Sequence, residues 1–277
     1  MLRALLIAAA LLGNGAALAA APRIVSLSVC ADQFVLALAR HEQILSLSPD
    51  AANPRLSILW REAAGIPRNR GMAEEAFALK PDIVVSNYWG RRQGADLLER
   101  FGIRVERLPL PVTFEEVRLL TRTVALALDA VPRGEILIAE MDAILDKVRR
   151  DRAERGPVRA AYYKPGGGST GGGTFVDSVF AAAGLDNALA GNGPSGWGRK
   201  LPLEELIMNQ PELLVLSFFS DEAMSLAQRM RHHDALDRLL AHVPVETVPG
   251  EMWVCGGWFL ALAVERLNAA AARVAGP

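Results

Sequence analysis

From Arg23 to Val105 the chain alternates short apolar, β-branched runs with segments of helical periodicity. Ile24-Val25-Ser26-Leu27 precedes a helical pattern over Ala31 to Arg40, followed by Ile44-Leu45-Ser46-Leu47. Asp82-Ile83-Val84-Val85, a helical segment near Arg92 to Phe101 and Ile103-Arg104-Val105 continue the series. Strand and helix signals in alternation predict an α/β architecture with largely parallel sheets. From Thr113 the strand signals stop. Thr113-Phe114-Glu115-Glu116 predicts a helix start with Thr113 as N-cap, and Pro132, a favoured first-turn residue, opens a second helix. Ile136, Ala139, Ile144, Leu145 and Val148 give that helix an apolar stripe, and the charged run Lys147 to Arg155 ends it before Gly156-Pro157. Strands resume at Val158-Arg159-Ala160-Ala161-Tyr162. A helix of roughly twenty residues spans ~30 Å, enough to strut two lobes apart.

An internal repeat supports two lobes. Ala73-Glu74-Glu75-Ala76-Phe77-Ala78-Leu79-Lys80-Pro81-Asp82-Ile83-Val84-Val85 matches Leu203-Glu204-Glu205-Leu206-Ile207-Met208-Asn209-Gln210-Pro211-Glu212-Leu213-Leu214-Val215. In each copy two glutamates open a short helix, a proline ends it, and an acid leads into an apolar strand. The expected organisation is a lobe over residues 22–129, a connecting helix over 130–155 and a second lobe over 156–277.

Composition narrows the classes. The 277 residues are 51% hydrophobic and 22% charged, which excludes a disordered chain. Thirty basic against 31 acidic residues leave a formal net charge of -1, too even for general nucleic-acid binding. Met1-Leu2-Arg3, the apolar run Ala4 to Leu12 and the small residues Ala17-Leu18-Ala19 predict a secretory signal peptide over residues 1–19, cleaved near Ala19. Its apolar run falls short of the ~20 residues that span a bilayer. The only cysteines, Cys30 and Cys255, both fall in predicted loops; in an oxidising compartment they either pair or stay apart and buried.

The Gly-rich segment Pro165 to Gly173 matches two incompatible motifs, so neither match carries weight by itself. Gly166, Gly168 and Gly171 fit a dinucleotide-binding spacing, and Gly167 to Gly171 fits a nucleophile elbow around Ser169. The simpler expectation is a loop at the C-terminal end of a strand, where α/β sheets line ligand crevices. His41 stands alone and the adjacent His232-His233 lack the spacing of a metal site, so no metal is expected to be held by the protein itself. Trp60 reads as a packing residue in a helix. Trp89, Trp197, Trp253 and Trp258 fall in Gly-rich or post-strand loops, where aromatic faces suit a large planar or apolar ligand. Tyr88, Arg91, Arg92, Arg199 and Lys164 are available beside them for anionic groups. The repeated glutamates Glu74-Glu75 and Glu204-Glu205, at matched positions in the two lobes, suit docking onto arginines of a two-fold partner.

These features together resemble the substrate-binding proteins of ABC importers for vitamin B12, ferric siderophores and haem. The resemblance rests on Arg23-Ile24-Val25-Ser26-Leu27, Ala78 to Val85, the loop Gly166 to Gly173, and Leu203-Glu204-Glu205-Leu206 leading to Pro211. It implies an α/β fold of two Rossmann-like lobes, each a mostly parallel sheet flanked by helices, joined by a single long helix, with a shallow cleft between the lobes. It further implies a periplasmic, monomeric, non-enzymatic protein without a cofactor of its own, which captures an iron–siderophore or corrinoid complex and delivers it to an ABC permease. By the resemblance, Glu74 and Glu204 engage the permease, with Glu75 an alternative to Glu74. Tyr88, Trp89, Arg91, Trp197, Arg199 and Trp253 are the cleft candidates, and any metal belongs to the ligand. An exported serine hydrolase using Ser169 is the alternative from another class.

Overall fold

A computed structural model describes residues 21–87, 92–164, 168–190, 199–200, 203–217 and 239–276. The predicted signal peptide lies outside the described residues.

The first lobe opens with β1 (Ile24–Ser26), α1 (Val29–Leu38) and β2 (Ile44–Ser46). After a long segment of turns come α2 (Ala73–Ala78), β3 (Ile83–Asn87), α3 (Arg92–Arg100) and β4 (Arg104–Leu108). Two helices follow, α4 (Phe114–Ala127) and the 21-residue α5 (Val131–Asp151). The second lobe contains β5 (Val158–Tyr163), β6 (Gly168–Ser169), α6 (Phe175–Ala183), β7 (Leu185–Asn187) and β8 (Arg199–Lys200). It ends with α7 (Leu203–Met208), β9 (Leu213–Leu216), β10 (Val245–Thr247) and α8 (Leu260–Ala275). Among the described residues no helix is long and apolar enough to cross a membrane.

Each lobe is built on a four-stranded sheet, in the order β2-β1-β3-β4 and β10-β9-β5-β7, with every neighbouring pair parallel. Read from its own first strand, the second sheet has the order 2-1-3-4 of the first. The repeat seen in the sequence is therefore a repeat of topology, and its hydrogen bonds coincide too. Asp82 accepts from the Arg23 backbone N–H at 2.7 Å and Glu212 from that of Arg159 at 2.8 Å. The Arg23 and Arg159 guanidinium groups donate to the carbonyls that close α2 and α7, at Leu79 and Lys80 and at Asn209. Lys80 and Gln210 both adopt the left-handed conformation, at φ 48° and 45°, where each chain turns into its proline. The acid before each strand thus anchors the start of the neighbouring strand, and the basic residue caps the preceding helix.

Thr113 caps α4 by accepting from the Glu116 backbone N–H, as its position predicts, and Thr174 caps α6 in the same way through Asp177. Helices α4 and α5 serve both lobes. Leu120, Val124 and Leu137 pack into the core of the first sheet, whereas Val117, Met141, Leu145 and Val148 pack into that of the second. At 1.5 Å per residue α5 is about 30 Å long, and Lys147 ties its far end to Glu265 of α8 at 2.5 Å. Trp60 is not in a regular helix; it lies in a turn-rich stretch with the Arg61 guanidinium 4.4 Å above its ring.

Candidate functional site: the cleft between the lobes

In a sheet of order 2-1-3-4 the chain reverses its winding between strands 1 and 3, and the loops leaving those two strands part to form a crevice. In the first lobe this point lies beyond β1 and β3, at Ser28 and Asn87. In the second it lies beyond β5 and β9, at Lys164 and Ser217. The two crevices meet where the lobes touch.

That meeting point is covalently closed. Cys30, in the first turn of α1, is disulfide-bonded to Cys255, 225 residues later, with the Cα atoms 5.4 Å apart. Gly256 presses so closely on Pro111 that a Cβ there would come within 2.4 Å of the proline ring. Trp258 packs against both cores and meets Phe34 edge-on at 5.3 Å. Ser178 of α6 donates to the Val112 carbonyl at 2.6 Å. A small cavity of about 30 Å³ is left at this seam, lined by Cys30, Phe34, Asn87, Leu108, Leu110 and Gly256 among others. The Asn87 side-chain oxygen is buried there without a hydrogen-bond partner among the described residues.

On the second lobe's side, the floor is an aromatic and hydroxyl cluster. Trp253 donates its indole N–H to the Ser217 hydroxyl at 2.5 Å, Ser217 donates to the Val248 carbonyl at 2.7 Å, and Tyr162 meets the Trp253 ring edge-on at 5.0 Å. Burial pushes the Tyr162 phenol well above its ordinary pKa, with Ser217 offsetting part of the effect. Lys164 leaves the end of β5 and places its ammonium 5.8 Å above the Tyr162 ring. It is half-buried and has no carboxylate partner among the described residues, and burial holds its pKa below the ordinary lysine value.

Several expected positions take a different part. Trp253 is only 2% exposed, so it does not present a stacking face; its ring fills the core and its N–H is consumed by Ser217. Tyr88, Trp89, Arg91 and Trp197 lie outside the described residues, as does the side chain of Arg199, whose backbone pairs in β8. Ser169 does not sit on a nucleophile elbow. It lies in β6, paired antiparallel with β8, 1% exposed, with its hydroxyl donated to the Tyr162 carbonyl at 2.6 Å. The described part of the Gly-rich segment is thus a loop and short strand at the end of β5, and the serine hydrolase reading loses its nucleophile. The sequence reading passed over Asn87, Ser217 and Pro111 because each becomes special only through the other lobe or a neighbouring strand.

On the outer rim, α2 and α7 open at the edge of the sheets from which the crevice loops leave. The Glu74 and Glu204 side chains are exposed there, and neither forms a hydrogen bond or ion pair among the described residues. Glu75 differs: its carboxylate accepts from the Arg70 backbone N–H at 2.6 Å and pairs with the Arg70 side chain, which lowers its pKa.

Comparison with known proteins agrees with this architecture. The family model described as periplasmic binding protein matches residues 24–243. The chain belongs to that family. No curated protein sequence matches it. Among solved structures, it is similar to the periplasmic heme-binding protein RhuT of Roseiflexus sp. RS-1, with 24% identity over 92% of this chain and all of that one, at a TM-score of 0.74. The vitamin B12-binding protein BtuF of Vibrio cholerae is 17% identical over 92% and 98% of the two chains, at 0.71. A periplasmic heme-binding protein from Pseudomonas aeruginosa is 19% identical over 92% and 95%, also at 0.71. In this periplasmic binding protein the two-lobed fold carries one departure from a purely non-covalent seam, the interlobe disulfide.

Proposed function

We propose that the protein is exported to the periplasm, captures a metal chelate in the cleft and delivers it to an ABC permease in the inner membrane. The ligand class is that of iron–siderophore, corrinoid and haem complexes. The observation that carries this reading is the opposition of two topological crevices across a seam fixed by Cys30–Cys255. A cleft between two such lobes suits a bulky, rigid ligand held at its edges, and solved relatives of the same fold are named for haem and vitamin B12. Lys164 supplies a cationic contact for a ligand carboxylate or phosphate, and Tyr88, Trp89, Arg91, Trp197 and Arg199 are the further ligand-contact candidates. Trp253 supports the floor from beneath. Glu74 and Glu204 dock on paired arginines of the permease, one per lobe.

The test is titration of the purified protein with haemin, cyanocobalamin and a panel of ferric siderophores, followed by tryptophan fluorescence and visible absorbance. Saturable binding of one class at micromolar or lower concentration is expected. Absence of a response across all three classes would remove the ligand assignment.

A further inference from the structure

Beside Glu74 the first lobe exposes a set of large apolar side chains. Phe77 lies three residues after Glu74, hence on the same face of α2, and is 47% exposed. Its ring meets that of Phe101, 61% exposed, at a centroid distance of 5.1 Å. Leu97, in α3 one helical turn before Phe101, extends the patch. Helices α2 and α3 are held together beneath it by Gly94, where a Cβ would stand 3.4 Å from that of Ala73. The patch is therefore part of the rigid lobe. In the second lobe Met208 lies four residues after Glu204, at the repeat position of Ala78 rather than that of Phe77, and is 74% exposed.

Both lobes thus pair an unpartnered carboxylate with an exposed apolar side chain on the same helical face. The core-facing positions of the repeat are otherwise respected, with Ala76 and Leu206 fully buried. On a helix free of partners, polar side chains would be the ordinary solution at such exposed positions. Resting on the docking role given above to Glu74 and Glu204, we propose that Phe77, Leu97 and Phe101 form an apolar anchor that docks on the permease's transmembrane subunit. They would bed against apolar residues that border the arginine receiving Glu74, with Met208 making a smaller contact beside Glu204. Exposed ion pairs contribute little in water, whereas aromatic groups that exclude water around a charge pair make the usual centre of an interface. The anchor is heavier on the first lobe, so the two ends of a two-fold partner are gripped unequally. A second copy of this chain fits less well, because a symmetric contact through the patch leaves Glu204 and Met208 uncovered.

The experiment uses the full-length protein and inner-membrane vesicles from its source organism. Phe77 is replaced by the photoreactive p-benzoylphenylalanine, and adducts formed on irradiation are identified by mass spectrometry. Binding of fluorescently labelled protein to the same vesicles is measured for the parent, Phe77→Ser/Phe101→Ser and Glu74→Arg/Glu204→Arg, with thermal melts confirming that each is folded. The expected result is an adduct with the transmembrane subunit of an ABC importer, and vesicle binding weakened at least tenfold by the serine pair. An adduct with a second copy of this chain would overturn the proposal in favour of self-association. Loss of binding with the arginine pair but not the serine pair would overturn the anchor and leave the glutamate docking standing. Unchanged binding in both variants would overturn both.

Discussion

Asp32 is a carboxylate with no access to water, 0% exposed in α1. It accepts from the Ser48 backbone N–H at 3.0 Å and from the Ser48 hydroxyl at 2.5 Å, and so pins the start of the long segment between β2 and α2. Burial outweighs these bonds and the attraction of Arg68, and raises its pKa above the ordinary value of 3.8. The folded state therefore holds this proton more tightly than the unfolded chain. Its contribution to stability falls as pH rises from about 4 through the folded pKa, and is level beyond it. Asp32→Asn removes the titration, so the variant should gain stability relative to the parent between about pH 4 and pH 7, as read by urea unfolding at both. A difference independent of pH would contradict the assignment. Lys164 makes the opposite kind of prediction, on binding. If it reads a ligand oxyanion, Lys164→Met should weaken haemin binding about tenfold, the lower end of a charged hydrogen bond, and leave binding of haemin dimethyl ester unchanged. Equal weakening of both would assign Lys164 a packing role.

Among the elements, the strands, the caps and the repeat were legible from local patterns because their causes are local: alternation, an N-capping hydroxyl three residues before its donor, a proline after a short helix. What the pattern of α5 could not disclose is how closely α4 lies against it. Gly134 makes that approach possible; a Cβ there would fall 2.5 Å from the Ala125 Cβ. In an isolated helix, glycine to alanine is favourable by about 1 kcal/mol. Here overpacking should prevail, and Gly134→Ala is expected to destabilise the protein by about 1–2 kcal/mol, measured as a lower denaturation midpoint at unchanged slope. A raised midpoint would show that the two helices can separate without loss.

At the scale of the whole molecule, one bond links the lobes at the base of the cleft while α4 and α5 link them along the back. Closing a loop of 225 residues, the disulfide restrains the unfolded chain strongly, and Cys30→Ser/Cys255→Ser should lower stability by about 2–5 kcal/mol. Differential scanning calorimetry would show this as a lower melting temperature, and reductant should bring the parent towards the variant. A parent whose melting is indifferent to reductant and equal to the variant's would mean that the bond adds nothing to the non-covalent seam of Pro111, Gly256 and Trp258.

By itself the sequence determined the α/β class, the two matched lobes, the connecting helix and the pair of glutamates, because periodicity, capping and repetition are properties of short stretches. Tertiary structure alone decided that Cys30 and Cys255 pair, that Trp253 is core and Ser169 a donor to a carbonyl, and that Glu75 is engaged while Glu74 is exposed. It also placed Asn87, Lys164 and Ser217 at facing crevices. Each of those outcomes depends on which residues far apart in the chain become neighbours, and burial and partnership are set by that packing rather than by residue type.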